Sequence, residues 1–509
     1  MAVLGNIIKG VIDIKDSLSG EKNPLDEQRQ VLRQLLTKAA GTAFGKEHNF
    51  KKILDSENPA RAFAGTVPYH DYKSISSRWW QQQLNGASDV TWPGNASYYA
   101  LSSGTTGKES KKIPVTADMV DAIRQAGIKQ VFSLSYFDLP PDFFEKEILM
   151  LGSSTELQES GGHLEGEISG ISAGNIPFWF RKYYRPGDEI ARIDDWDQRL
   201  ARIVQKAPDW DIGALSGIPS WIELMLEAII RKYKLDTIHD IWPNLLVYTS
   251  GGVAFGPYEK SFNALVGKPV RIIDTYLASE GFLAFQSRPD TPAMELITDN
   301  GIYFEFVPFK PDYISEDGAV KQDAPCLGLE DVRQGQDYVL IISTVAGAWR
   351  YMIGDTIEFK DVARARIQIT GRTKFFLNTV GSQLSVNKLD EAVKRLEELF
   401  DIKIPEYTLC ARRIGSEFYH CWYLGTGSGM DEGKLASALD GFLKEANKNY
   451  MVARSKALKG VKVRCVPASV FYEWSAHNKK KGGQVKMERV MGPGKFKEWE
   501  DFAGEQVLT

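Results

Sequence analysis

Behind Asn23-Pro24, the apolar residues Leu25, Val31, Leu32, Leu35, Leu36 and Ala39 recur at helical spacing. A capping side chain followed by a first-turn proline predicts a core-facing helix from residue 24. The same pattern predicts helices over about 116–134, 190–206 and 219–234. Short β-type runs alternate with them. Leu245–Thr249 leads into Ser250-Gly251-Gly252, and Val270–Tyr276 leads into Ala278-Ser279-Glu280. Further runs lie at Ile302–Val307 and Tyr338–Thr344, the second approaching Gly354-Asp355. This alternation predicts the α/β class, in which ligands gather at the carboxyl ends of strands.

After Gly371-Arg372 the pattern changes. It predicts a short strand, a helix near 387–400, strands at Tyr407–Ala411 and Tyr419–Leu424, a long helix over about 431–452 and a strand at Val461–Val466. That is a compact α+β unit of ordinary domain size. The stretch 311–337, rich in Asp, Gly and Gln, reads as an irregular surface loop. At 509 residues the chain is too long for one core, so two or three domains are expected.

Composition narrows the function classes. A net charge of -4, with Lys and Arg spread along the chain, implies neither nucleic acid nor anionic membrane as a partner. Lys479-Lys480-Lys481 reads as a solvated loop. The four cysteines are far apart and lack a CxxC pair, as expected of reduced thiols in a cytoplasmic protein. No histidine pair has metal-ligand spacing on a helix, which argues against zinc. Neither a signal peptide nor a membrane span is expected.

The stretch Ser102-Ser103-Gly104-Thr105-Thr106-Gly107-Lys108 concentrates hydroxyls, glycines and a lysine between apolar flanks. Backbone N–H groups and hydroxyls bared in such a loop suit phosphate. A kinase-type phosphate loop would need Gly at 102 and Ser or Thr at 109, where this chain has Ser102 and Glu109.

Joined to Ser250-Gly251-Gly252-Val253-Ala254, Tyr276-Leu277-Ala278-Ser279-Glu280, Gly354-Asp355, Gly371-Arg372 and Gln484-Val485-Lys486, this loop forms an ordered series. The series resembles the adenylate-forming superfamily of acyl-CoA synthetases, luciferases and adenylation domains. Within it the chain is similar to the Gretchen Hagen (auxin-responsive) acyl acid amido synthetases, in a bacterial-type form. The closer likeness rests on Val67-Pro68 with Tyr69 and Tyr72, on Lys111 and Pro114, on Gly347–Asp355, and on Asn449-Tyr450, Arg454 and Arg489. It runs from about residue 24 to 491.

The resemblance implies a large N-terminal adenylate-forming domain over 1–370, with β-sheets flanked by helices plus a small β-barrel. A smaller, mobile α+β lid would occupy 371–509. It implies a monomeric ligase that adenylates a carboxylic acid with ATP and Mg²⁺ and passes the acyl group to an amino acid. Ser102, Ser103, Gly104, Thr105 and Thr106 would hold the phosphates, and Gly251, Gly252 and Val253 would lie against adenine. Tyr276 would flank the adenine beside Ser279, Glu280 would bind Mg²⁺, and Asp355 would take the ribose hydroxyls. Arg372 and Lys374 sit where the superfamily has its hinge, and Lys486 would reach the α-phosphate from the C-terminal unit.

Met352, Ala278, Met487 and Glu488 depart from the plant pattern without removing a catalytic group. The acyl pocket does not transfer; Trp221, Phe178, Trp179 and Phe180 are candidate lining residues. Taken singly, Glu280 reads equally as a helix cap and Asp355 as a turn residue. A thiol acceptor, as in an acyl-CoA synthetase, and nucleotide binding without turnover remain open alternatives.

Overall fold

The computed structural model describes residues 23–102, 110–178, 180–252, 255–315, 318–373, 384, 386–414, 417–427, 429–447, 450–451, 454, 458–477 and 487–507. The helix Pro24–Ala39 begins where the pattern places it, with the Asn23 side chain accepting from the Leu25 amide. It buries Val31, Leu32, Leu35, Leu36 and Ala39 against the strand Ile302–Pro308 and its neighbours. Helices Ala117–Ser133 and Pro219–Tyr233 match their predicted spans closely. The span 190–206 holds two helices, Asp188–Ala191 and Trp196–Lys206. Asp195 starts the second by accepting from the Gln198 amide at 2.8 Å.

Among the described residues the strands form sheets of eleven, four and three strands. One half of the largest sheet is parallel: Tyr184–Arg185, Glu147–Leu151, Ile212–Gly217, Val247–Gly251 and Arg271–Ala278. Its other half is antiparallel: Gly281–Phe285, Met294–Leu296, Arg366–Arg372, Tyr351–Asp361, Asp337–Thr344 and Ile302–Pro308. The antiparallel strands, where a small barrel is expected, are thus continuous with the parallel ones. The halves join at the hairpin between Arg271–Ala278 and Gly281–Phe285. This seam positions the site described below.

The four-stranded sheet runs Lys111–Val115, Tyr98–Ser102, His163–Gly166 and Gln158–Ser160. The three-stranded sheet, Glu406–Ile414, Glu417–Gly425 and Leu458–Val466, packs against helices Val386–Phe400 and Glu432–Ala446 around Leu396, Leu409, Trp422 and Leu439. That core draws only on residues from 384 onward. The helix predicted over 431–452 stops at Ala446, because the Asn447 side chain accepts from the Tyr450 amide at 2.9 Å and starts a new turn. The short strand expected just after Arg372 lies outside the described residues. No helix among the described residues is long and apolar enough to cross a membrane.

Candidate active site

The parallel strands Val247–Gly251 and Arg271–Ala278 pair Ser250 with Asp274 and Gly251 with Thr275. A Cβ on Gly251 would lie 2.8 Å from Thr275 Oγ1. That hydroxyl is fixed in place, donating to the Ser250 carbonyl at 2.9 Å. Gly252 follows with φ +83°. Both glycines are therefore dictated by the backbone path, and they leave main chain bare at a strand end.

Strand Arg271–Ala278 turns through Ser279 and Glu280 into Gly281–Phe285, pairing Ala278 with Gly281. Glu280 sits in a hairpin turn at the seam; no helix follows it to be capped. Tyr276, two residues before the strand ends, donates its hydroxyl to Asp355 Oδ2. On the antiparallel side Asp355 stands opposite Arg372 in register. The Arg372 Nε donates to Asp355 Oδ1 at 2.5 Å. Asp355 is buried, whereas the Arg372 side chain is 44% exposed. Burial and the adjacent Asp355 push the Tyr276 phenol well above its ordinary pKa, keeping it a neutral donor. Burial also raises the Glu280 carboxyl, opposed by Lys111 and Arg372 and reinforced by Asp355.

Lys111 is brought in by the hairpin Tyr98–Ser102/Lys111–Val115, in which Ser102 pairs with Lys111. Adjacent lysines on one arm point to opposite faces. Lys112 Nζ reaches Glu165 Oε1 at 2.6 Å, and the same oxygen pairs with His163 Nε2 at 2.8 Å. Lys111 turns the other way, its Nζ 5.5 Å from the centre of the Tyr72 ring and its charge felt at Glu280. Tyr72 is held by its segment: Met352 N donates to the His70 carbonyl at 2.8 Å, and His70 N to that of Arg350 at 2.9 Å. The fully buried Tyr351 directs its hydroxyl toward Glu280.

Ser102, Gly251, Gly252, Tyr276, Ser279, Glu280, Asp355 and Arg372 thus converge on the seam. Ser103, Gly104, Thr105, Thr106, Val253, Lys374 and Lys486 lie outside the described residues, as does Trp179. Of the candidate lining residues, Phe178 is 85% exposed and Trp221 packs against Trp196 at a ring separation of 4.1 Å. Roles for Lys111, Tyr72 and Tyr351 were not evident from sequence. Strand alternation across the paired lysines is the signal that separates Lys111 from Lys112. Among the described residues no group of three or more His, Cys, Asp or Glu side chains could hold a metal ion.

Comparison with known proteins identifies the family and the fold. The GH3 family N-terminal domain matches residues 14–204, its central domain 295–372 and its C-terminal domain 387–495. The indole-3-acetic acid-amido synthetase GH3.8 of Oryza sativa subsp. indica is 24% identical over 469 residues, 78% of this chain and 75% of the relative. The indole-3-acetic acid-amido synthetase GH3.2 of Arabidopsis thaliana is 22% identical over 472 residues, 79% of this chain and 85% of the relative. A solved GH3.15 acyl acid amido synthetase matches with TM-score 0.74 at 16% identity, covering 94% of this chain and 93% of its own. A 2-hydroxyisobutyryl-CoA ligase in the postadenylation state shares the fold at TM-score 0.55 and 15% identity, covering 94% and 91%. With three consecutive domains of one family matched along most of its length, the chain belongs to the GH3 family.

Proposed function

We propose that this GH3-family chain is an ATP-dependent ligase that adenylates a small carboxylic acid, releasing pyrophosphate, and transfers the acyl group to an amino acid as an amide. The observation that carries the reading is the convergence of Tyr276, Asp355 and Arg372 with Glu280 and Lys111 at the seam of the large sheet.

Asp355 is a buried acceptor oriented by two donors, a carboxylate suited to take the two ribose hydroxyls. The backbone at Gly251-Gly252, on the strand paired with that of Tyr276 and without side chains of its own, suits the close approach of a purine. Thr373 fits the same account: it is buried, and its hydroxyl lacks a hydrogen-bond partner among the described residues. Glu280 feels the charge of Lys111, whose strand partner Ser102 begins the hydroxyl-rich stretch.

One carboxylate plus phosphate oxygens fits Mg²⁺, which keeps much of its water shell. Bound there, Mg²⁺ would neutralise charge on the phosphates. The chain's own residues position the reactants. The loop from Ser102 presents donors to the β- and γ-phosphates, and Lys486 meets the charge that develops at the α-phosphate and carboxylate. We take 1–370 as the ATP- and acid-binding unit and 371–509 as the lid. We place the protein in the cytoplasm as a monomer, consistent with four free cysteines.

The test is acid-dependent exchange of labelled pyrophosphate into ATP with Mg²⁺, over indolyl, aryl and fatty acids, followed by amino acids as acceptors. Exchange with one acid class and amide formation with an amino acid are expected. Exchange that leads to thioester with coenzyme A, and to no amide, would refute the acceptor assigned here.

A further inference from the structure

Gly252 is followed within a few residues by the short helical turn Gly256–Tyr258 and the helix Glu259–Asn263. Tyr258 is 3% exposed and donates its hydroxyl to Glu406 Oε1 at 2.8 Å. Glu406, 5% exposed, opens the strand Glu406–Ile414 of the three-stranded sheet. Its second oxygen accepts from Arg489 NH1 at 2.6 Å. Arg489 also donates to the Tyr407 carbonyl at 3.2 Å and stacks over the Tyr407 ring at 4.6 Å. Its backbone is tied into the sheet, since Leu409 N donates to the Arg489 carbonyl at 2.8 Å. One carboxylate is thus shared between a donor from the large sheet's side and a donor from the C-terminal unit.

Two ion pairs cross the same joint, Lys260–Asp401 at 3.2 Å and Lys394–Glu259 at 3.6 Å, but their side chains are at least half exposed. Exposed pairs contribute little. The buried Tyr258–Glu406 bond is the one whose loss would be felt, because either partner would then be left buried and unsatisfied.

We propose that Tyr258, Glu406 and Arg489 form a clasp that holds the C-terminal unit, at a point three residues after Lys486 in the sequence, against the helical segment from Gly256 to Asn263. They act as positioning residues for the first half-reaction. The inference rests on the ligase reading above. Lys486 precedes Arg489 by three residues in the sequence, so anchoring Arg489 limits where that lysine can act. Adenylation needs a cation at the α-phosphate, and the clasp supplies the anchor for it. Amide formation from acyl-adenylate needs an amine at that carbonyl instead, and gains nothing from the clasp.

Tyr258→Phe removes only the crossing hydroxyl and leaves the Glu406–Arg489 pair in place. Acid-dependent pyrophosphate exchange should fall about tenfold. Amide formation from chemically supplied acyl-adenylate should stay within about twofold of wild type. An independent readout is carbodiimide crosslinking, which condenses the Lys260 amine and Asp401 carboxylate to an amide as the reagent takes up the water. Mass spectrometry should find the Lys260–Asp401 crosslink in wild type and less of it in Tyr258→Phe. Unchanged exchange, an equal fall in both half-reactions, or no crosslink in wild type would each overturn the clasp. Absence of exchange with every acid in wild type would fall on the ligase reading. The crosslink and its loss in Tyr258→Phe would then still decide the clasp.

Discussion

Two arginine–carboxylate pairs stand close together along the chain, and they are built differently. Arg350, with φ +42°, places Nε 3.1 Å from both oxygens of Glu305 and donates through NH1 to the Ala64 and Val67 carbonyls at 2.8 and 2.6 Å. Its guanidinium lies 4.1 Å from the Tyr69 ring, and both partners are at most 4% exposed. Arg372 holds Asp355 more closely, at 2.5 Å, yet its side chain is 44% exposed. The first pair is saturated and buried, so it fixes backbone. The second leaves its arginine half exposed, and it is the pair assigned to ligand contact in the proposed function. Charge pairing alone does not separate the two; exposure does.

Breaking the closed pair should cost the most. Arg350→Ala leaves Glu305 buried and unpaired and should lower stability by about 3–5 kcal/mol in urea unfolding. A loss under about 1 kcal/mol would mean that the pair holds little.

Breaking the half-exposed pair should cost binding instead. Asp355→Ala should weaken ATP, measured by calorimetry, by about 30–150-fold, or about 2–3 kcal/mol. Its melting temperature should move far less than that of Arg350→Ala. Unchanged ATP affinity would remove Asp355 from the nucleotide site.

A carboxylate with no arginine extends the comparison. Glu223, buried on helix Pro219–Tyr233, has only the Ser261 hydroxyl as its side-chain partner among the described hydrogen bonds. Burial lifts its carboxyl from 4.5 to about 7. The folded chain therefore keeps this proton where the unfolded chain has lost it. The contribution to stability is complete below pH 4.5 and is lost as pH rises through about 7. Glu223→Gln should flatten that dependence, by about 2–3 kcal/mol between pH 5 and 8 in unfolding free energy. Parallel pH profiles in variant and wild type would contradict it.

The smallest effect is expected from Tyr276→Phe, which takes one of two donors from Asp355 and should weaken ATP less than about tenfold. A loss as large as that of Asp355→Ala would make the tyrosine, and not the arginine, the decisive donor.

Much of this was legible in the sequence where local chemistry decides. Asn23-Pro24 announced a helix because a cap and a first-turn proline act within one turn. Gly251-Gly252, Glu280 and Asp355 are singled out as candidates by the ordered series they belong to, since Glu280 taken singly reads as a cap and Asp355 as a turn residue. Breaks inside periodic patterns were missed. Leu435, Leu439 and Leu443 continue in register to Tyr450, so one helix was expected where Asn447 ends it. Asp195 likewise splits an apparently continuous helix. Partners distant in sequence were also beyond reach. Nothing local in Lys111 or Lys112 says that one meets Glu165 and the other faces Glu280. Tyr258 and Glu406, 148 positions apart, meet only once both units are folded.

Arg372 has a further consequence. It is the last residue of its strand in the large sheet, and it is also the partner of the carboxylate assigned to the ribose. In the function proposed here, the chain therefore leaves for the C-terminal unit directly from a nucleotide contact. Thermodynamic reciprocity then applies: whatever factor nucleotide occupancy contributes to the placement of that unit, its placement returns to nucleotide affinity. A ligase wired as proposed would report the placement of its C-terminal unit through its binding constant for ATP.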